Sequence, residues 1–254
     1  MILFRGKFSL LILIASLLCA CAVQPTNPYN KDSNNTKRAR AHTELGAAYY
    51  QQKKYDIALS EFNIAIDFDA DYAWAYNGLG LVQSAIGEND KADAAFRKAI
   101  QLEPNSSEAH NNYGNFLCNN GRYGESVDHF LAAVKNPLYT TPNLAYTNAG
   151  ICTLRNKDIA NAEKYFIKAL QIEPLTHAAA YQLANIQYNR GEAGAAYKTL
   201  LNTLTVAAGP EVLWLGIKIS RALDNKDNEA SYAIQLRKQY PDSAETKMLI
   251  SGQK

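Results

Sequence analysis

The amino-acid sequence predicts an all-α protein, a superhelical solenoid of about six helix-turn-helix repeats. Three observations predict it: a period of 34 residues, small and aromatic residues at fixed positions within each period, and turn-forming residues between the two helices of a copy. The chain has 254 residues, 47% of them hydrophobic, which is enough for a sizeable buried core. One helical hairpin does not bury its apolar face alone, so we expect consecutive copies to stack.

The period is clearest at a residue pair near the middle of each first helix, where a large apolar residue precedes glycine. The series is Leu45-Gly46, Leu79-Gly80, Tyr113-Gly114, Ala149-Gly150 and Leu183-Ala184. The second helices of the first four copies carry an aromatic residue with alanine three residues after it and, in three of them, alanine four residues before it. The aromatic series is Phe62, Phe96, Phe130 and Phe166. The pattern resembles the tetratricopeptide repeat (TPR), which implies a right-handed superhelix with copies at approximately 39–72, 73–106, 107–142, 143–176, 177–210 and 211–244.

The spacing has a physical reason. Glycine lets the second helix approach the first closely, and the aromatic ring fills the space between the second helix and its neighbours. Residues that tolerate a left-handed backbone are expected to end the first helices, namely Gly87, Gly121, Gly191 and Asn225.

Two copies depart from the pattern. The third is two residues longer and leaves through Pro137 and Pro142, which should end its second helix early and form a stiff elbow. In the last copy Lys218 replaces the glycine and Arg237 replaces the alanine, as expected for a terminal repeat whose outer face meets water. Residues 245–254 are predicted to be a C-terminal tail.

The first residues are typical of an export signal. Arg5 and Lys7 precede a short apolar stretch that is too short to span a bilayer, so 1–20 are predicted to be a signal peptide. The sequence Leu18-Cys19-Ala20-Cys21 resembles a bacterial lipobox, which implies cleavage before Cys21 and lipidation of its thiol. Ala22 after that cysteine implies sorting to the outer membrane. Residues 21–38 comprise the lipidated cysteine and a Pro-, Asn- and Ser-rich flexible tether.

The composition and the motifs exclude several functional classes. Lys and Arg number 26 against 24 Asp and Glu, and without the first twenty residues the two counts are equal. No basic excess remains for binding nucleic acid. The sequence contains no phosphate loop, nucleophile elbow or zinc-binding histidine pair, so we predict no enzyme, no cofactor, no metal and no small-molecule substrate. The four histidines, His42, His110, His129 and His177, are interpreted as packing residues.

Two cysteines remain after the signal peptide and lipidation, Cys118 and Cys152. They fall on the first helices of the third and fourth copies, and consecutive first helices are neighbours in a stack. The two side chains are therefore expected within disulfide range, and an oxidising periplasm favours the bond. Two independent buried thiols are the alternative.

The first helices also predict a binding surface, because in this repeat they form most of the concave face. Asn side chains satisfy peptide backbone groups, and Tyr and Trp bury apolar side chains. The candidate protein-binding residues are Tyr50, Trp74, Asn77, Asn111, Asn115, Tyr181, Asn185 and Tyr188. No Lys or Arg accompanies the central Asn residues, so the sequence gives no basis for carboxylate recognition there.

A narrower resemblance rests on four blocks: Asn112 to Cys118, Gly121 to Tyr123, Asn136 to Tyr139 and Asn148 to Cys152. They look like the type IV pilus biogenesis lipoproteins of the PilF/PilW kind. That resemblance implies an outer-membrane pilotin, lipid-anchored on the periplasmic face, whose partners are the pilus secretin and possibly other pilus-assembly proteins. It also supports the pairing of the two cysteines. The alternative is a general envelope scaffold that organises peptidoglycan enzymes or outer-membrane protein assembly.

Overall fold

A computed structural model describes residues 34–206 and 208–252, and within those ranges the chain is helical without strands. Twelve helices form six hairpins: α1 (Asn34–Gln51) with α2 (Tyr55–Phe68), α3 (Ala73–Ala85) with α4 (Asn89–Leu102), α5 (Ser107–Asn119) with α6 (Tyr123–Ala133), α7 (Pro142–Arg155) with α8 (Ile159–Ile172), α9 (His177–Asn189) with α10 (Ala193–Val206), and α11 (Pro210–Ala222) with α12 (Lys226–Gln239). Helix α13 (Ala244–Ser251) follows them. The first helix of each hairpin packs against the first helix of the next. The predicted stack of helical hairpins is confirmed.

The predicted signal peptide, Cys21 and the tether as far as residue 33 lie outside the described residues. Among the helices that are described, none combines the length and the apolar run needed to cross a membrane. Helix α1 begins at Asn34, inside the segment predicted as tether. The Thr36 hydroxyl donates a hydrogen bond to Asp69 (2.7 Å), and the Arg38 guanidinium lies 5.4 Å from the centre of the Phe68 ring. These contacts hold the first turn of α1 against the end of α2.

The first four hairpins are closed by the glycine–phenylalanine contact that the repeat pattern predicts. A Cβ atom built on Gly46, Gly80, Gly114 or Gly150 would come within 2.9, 2.9, 2.8 or 2.5 Å of the ring in its own hairpin. Real Cβ atoms essentially never approach that closely. The four rings are at most 1% exposed, so they have no free space into which to move.

The tight turns use a left-handed residue at a fixed place in every hairpin. The residues with positive φ between the paired helices are Lys53, Gly87, Gly121, Lys157, Gly191 and Asp224, with φ between 52° and 87°. The prediction is confirmed for the three glycines and wrong for Asn225. Asn225 instead caps α12, where its side chain accepts a hydrogen bond from the backbone N–H of Asn228.

The predicted elbow after the third copy is present. Helix α6 has 11 residues, whereas α4 and α8 have 14 each, and Pro142 occupies the first turn of α7. Between them Tyr139 packs on Ala133 and Ala145 and is only 9% exposed. The tyrosine thus anchors the extra residues to the core on both sides of the elbow.

The fifth copy is one residue shorter than the sequence register assumed, because three residues separate α10 from α11 whereas four separate α8 from α9. Helices α11 and α12 begin 33 residues after α9 and α10, so the glycine position holds Ile217 rather than Lys218. The final alanine position likewise holds Leu236 rather than Arg237, and both Ile217 and Leu236 are fully buried. Because the register shifts by one residue, Lys218 and Arg237 do not occupy the glycine and final alanine positions.

The segment predicted as a C-terminal tail contains α13. Ser243 caps this helix by accepting a hydrogen bond from the backbone N–H of Thr246 (3.1 Å). Thr246 donates to the carbonyl oxygen of Tyr240 (2.7 Å), and Leu249 joins the apolar core of the last two hairpins. Helix α13 therefore covers the end of the stack.

Candidate protein-binding wall

The inner wall, as we use the term, is the surface formed by the eight candidate residues on the first helices. Tyr50 lies on α1, Trp74 and Asn77 on α3, Asn111 and Asn115 on α5, and Tyr181, Asn185 and Tyr188 on α9. Helix α7 lies between α5 and α9 and contributes none of them. Seven of the eight side chains keep some access to solvent, whereas Asn77 is 7% exposed and buried.

Two of the asparagines join neighbouring first helices. The Asn112 amide donates to the side-chain oxygen of Asn77 (3.2 Å), and the Asn148 amide donates to that of Asn111 (3.2 Å). The first bond links α3 to α5 and the second links α5 to α7. Asn77 consequently serves helix packing and lies beneath the accessible surface, and Asn111 has only part of its amide available to a ligand.

Asn115 and Asn185 differ from that pair. Both side chains are partly exposed, and neither makes a hydrogen bond with any described residue. A primary amide offers two donors and an acceptor, which matches the alternating carbonyl and N–H groups of an extended polypeptide. These two amides are the ones that the wall leaves open for a ligand.

The aromatic residues of the wall are unequally exposed. Trp74 is 40% exposed, and its ring borders a cleft of about 450 Å³ together with Pro104 and Asn136 from the loops that follow α4 and α6. Tyr50 is half-buried with its ring 5.8 Å from that of Tyr55. Trp74 is thus the largest apolar surface that the wall presents.

Burial raises the pKa of two of the wall tyrosines. Burial is the main cause that raises the pKa of Tyr50, and the neighbouring Tyr55 adds to it. Burial also raises the pKa of Tyr181, with a smaller contribution from the negative charges of Glu211 and Glu245. Both phenols are protonated at neutral pH, as tyrosines ordinarily are, and they act as hydrogen-bond donors as well as apolar surfaces.

Comparisons with known proteins agree with the stacked repeat fold. Tetratricopeptide-repeat family models match residues 46–87, 75–106, 95–128 and 145–174. The type IV pilus assembly protein PilF of Pseudomonas aeruginosa is 29% identical over 242 residues, covering 94% of this chain and 96% of the relative. The crystal structure of PilW, a type IV pilus biogenesis factor, is 30% identical with a TM-score of 0.72, covering 84% of this chain and 98% of PilW. The chain belongs to the PilF/PilW family.

A structure of P. aeruginosa PilF gives the same result, with a TM-score of 0.77 and 27% identity over 87% of this chain and all of that one. The protein is therefore a TPR protein of type IV pilus biogenesis. Membership of a repeat-scaffold family favours a role in protein interaction rather than catalysis. Within residues 34–206 and 208–252, no group of three His, Cys, Asp or Glu side chains is arranged to hold a metal ion.

The two cysteines of the family-like segments lie side by side. The Cα atoms of Cys118 on α5 and Cys152 on α7 are 5.7 Å apart, and their sulfur atoms are in contact. Both side chains are buried around the Phe130 ring, where a disulfide would link the third hairpin to the fourth across the elbow. Formation of the bond in the cell stays a prediction.

Sequence reasoning missed a charged network beside the wall. Tyr113 on α5 donates to the Asp93 carboxylate (2.7 Å), which also accepts hydrogen bonds from Arg97 and Arg122. Burial alone would raise the pKa of Asp93, but the three hydrogen bonds bring it below its usual value. Burial and the Asp93 contact raise the pKa of Tyr113 to about 12. The network ties α4, α5 and α6 together.

Sequence reasoning also treated the histidines singly, whereas two of them form a pair. The Nδ1 atoms of His110 and His129 are 2.8 Å apart, and His110 Nε2 lies 3.0 Å from the carbonyl oxygen of Pro104. Nε2 of His110 therefore donates to that carbonyl, and its Nδ1 accepts from His129. Burial, reinforced by the charge of His110, lowers the pKa of His129 to about 4. In the first hairpin His42 and Glu61 are also 19 residues apart in sequence, and His42 Nδ1 lies 2.6 Å from Glu61 Oε2.

Proposed function

We propose that this protein is an outer-membrane lipoprotein that serves as the pilotin of a type IV pilus. It binds the pilus secretin through the inner wall, brings secretin subunits to the outer membrane and promotes assembly of their ring. Similarity to PilF and PilW over more than four fifths of the chain is the observation that carries the proposal. Other pilus-assembly proteins are further candidate partners.

The inner wall supports a polypeptide as the ligand. The partly exposed Trp74 offers an apolar face for a side chain, and Asn115 and Asn185 offer open amides for backbone groups. Tryptophan and tyrosine commonly dominate the affinity of protein interfaces because they bury large areas with few rotatable bonds.

Lipidation of Cys21 supplies the location. Each CH₂ group buried in a membrane contributes about 0.8 kcal/mol, so several acyl chains make attachment effectively permanent. A tethered scaffold meets a partner at the same membrane as if the encounter were intramolecular, which raises the effective concentration of both. The anchored protein holds apolar segments of the secretin until the subunits insert.

Secretin assembly in a deletion strain tests the proposal. We expect few heat-resistant secretin multimers in the outer-membrane fraction, and their restoration by the wild-type chain. A Cys21→Ser chain should bind secretin but leave it mislocalised, whereas a Trp74→Ala/Tyr181→Ala chain should reach the membrane and fail to bind. Normal rings in the deletion strain would eliminate the pilotin role. Loss of cell-wall enzyme complexes in that strain would favour the general envelope scaffold.

A further inference from the structure

A cleft at the C-terminal end of the stack has the features of a ligand subsite. Its volume is about 490 Å³, and it lies between α9, α11 and the end of α13. The residues that line it are Tyr188, Lys218, Arg221, Ala222 and Gly252. The cleft is continuous with the inner wall because Tyr188 belongs to both.

Lys218 brings an uncompensated positive charge to this cleft. Its side chain is partly buried, and its ammonium lies 5.2 Å from the centre of the Tyr188 ring. No carboxylate among the described residues pairs with it, and burial lowers its pKa. Desolvation without a counter-ion is unfavourable for an ammonium group, and an anion entering the cleft would relieve it.

Arg221 adds hydrogen-bond donors beside it. Its Nε donates to Glu229 on α12 (2.7 Å), and its guanidinium lies 5.7 Å from the centre of the Trp214 ring. These contacts fix the plane of the guanidinium. The two terminal nitrogens make no hydrogen bond with the described residues, so they remain available to an acceptor.

The charges of the neighbouring surface confine an anion to this end. Near the start of α11, Glu211 contributes to raising the pKa of Tyr181, as does Glu245 on α13. A carboxylate would be repelled there and attracted about two helical turns away, beside Tyr188. The wall of the last two hairpins is therefore acidic at its Tyr181 end and basic at its Tyr188 end.

We propose that this cleft binds a carboxylate of a peptide lying on the inner wall, either an Asp or Glu side chain or a C-terminal carboxylate. The carboxylate accepts hydrogen bonds from the Lys218 ammonium and the terminal nitrogens of Arg221, while the Tyr188 ring packs on the adjoining residue. The inference rests on the proposed function only in that the wall receives a polypeptide.

Titration calorimetry with three peptides of one apolar sequence tests the subsite, using the full chain in a non-ionic detergent at low salt. One acetylated peptide has an internal Glu and an amidated C-terminus, one has Gln and a free C-terminus, and one has Gln and an amide. We expect at least one of the first two to bind about tenfold more tightly than the third, as a charge-assisted contact implies. The tighter of the two identifies the source of the carboxylate.

Variants assign the effect to the cleft. Lys218→Met should remove the preference for the carboxylate, and Lys218→Arg should retain it. Lys238→Met, which replaces an exposed lysine on α12, is the matched control and should change nothing. Equal binding of all three peptides, binding of none, or an undiminished preference in Lys218→Met would overturn the proposal.

These results are separable from the pilotin test. The peptide preference is measured on purified protein, whereas secretin multimers are measured in cells of the deletion strain. Normal multimers in that strain together with Lys218-dependent peptide binding would reject the pilotin role and keep the subsite. Missing multimers together with equal binding of all three peptides would support the pilotin role and reject the subsite.

Discussion

The first four hairpins and the last two are closed in different ways. In the first four, a rigid phenylalanine ring lies against a glycine, and each ring belongs to a small local apolar cluster. In the last two, Leu200 takes the phenylalanine position of the fifth hairpin, and Ala184 and Ile217 take the glycine positions. One continuous cluster there extends from Ala184 to Leu249.

The two regions therefore differ in how closely the packing fixes the spacing between helices. A ring against a glycine constrains the spacing between two helices, and the first four hairpins share this contact. Branched aliphatic side chains interdigitate in several ways, and the C-terminal core gains its stability from total buried area. Links between neighbouring first helices, such as the Asn112–Asn77 bond, also lie among the early hairpins.

The largest effect is expected from the cysteine pair, because a disulfide between Cys118 and Cys152 would be a cross-link for which the last two hairpins have no counterpart. Closing a loop of this length stabilises by about 3–4 kcal/mol in the chain-entropy model. A Cys118→Ala/Cys152→Ala chain should lose about that much stability in urea denaturation. Thiol titration of the unfolded wild type without reductant is the control, and two reactive groups beyond Cys19 and Cys21 would mean that no bond forms.

Gly80→Leu tests the rigid closure directly. Its Cβ would come 2.9 Å from the fully buried Phe96 ring, so overpacking should cost at least about 1–3 kcal/mol. Gly124→Ala, at a helical glycine with nothing within 4 Å, is the matched control and should be neutral or slightly stabilising. An unchanged thermal midpoint for Gly80→Leu would show that the glycine–ring contact is not what spaces the helices.

The wall prediction compares the two regions as binding surfaces. Trp74→Ala alters the second hairpin and Tyr181→Ala the fifth, and each should weaken partner binding about tenfold because each removes an aromatic anchor. Binding to immobilised secretin measures both. If both variants kept full affinity, the inner wall would not be the docking surface; if only one lost it, a single region would carry the contact.

A pH effect between about pH 4 and 6.5 is expected from His129 in the third hairpin. The folded pKa of His129 is about 4, below its unfolded value, so the unfolded chain binds more protons between the two values. Stability should therefore fall as the pH drops from about 6.5 towards 4. His129→Gln should flatten that part of the denaturation profile relative to His177→Gln, and an equal slope in both variants would contradict the assignment.

The smallest effect is expected in the last hairpin. A Cβ on Gly216 would come 2.8 Å from a terminal methyl of Leu204, which can rotate, and 3.2 Å from the Tyr232 ring, whereas at Gly80 it would meet the fixed Phe96 ring at 2.9 Å. Replacing a helical glycine by alanine gains about 1 kcal/mol of helix propensity, which offsets the adjustment. Gly216→Ala should leave the midpoint of thermal unfolding nearly unchanged. A loss as large as that of Gly80→Leu would mean that both regions are closed equally rigidly.

The sequence predicted the fold well where one residue type has one physical use. Gly80 opposite Phe96 and the prolines of the elbow are such cases, because little else fits a close helix approach or a stiff exit. The neighbouring positions of Cys118 and Cys152 followed from the same period. Successive repeats make the same contacts, so a register that holds for one pair of hairpins holds for the next.

Prediction failed where several residue types serve equally well. Asn225 was accepted as the left-handed turn residue although Asp224 occupies that position, so the one-residue shortening before the last hairpin went unnoticed. Asn77 was assigned to the ligand, yet an amide binds a neighbouring helix as readily as a peptide. Lys218 was considered only as a missing glycine, and its role in a cleft depends on α13, which the sequence analysis interpreted as a tail.

Helix α13 sets a boundary on how this architecture grows. It occupies the faces of α11 and α12 against which a seventh hairpin would stack, and Leu249 seals the apolar core there. The first four hairpins, by contrast, share the same glycine and ring, although the third is followed by the elbow. We therefore expect an inserted hairpin to be accommodated more readily near the N-terminal end of the stack, where it leaves the C-terminal cap undisturbed.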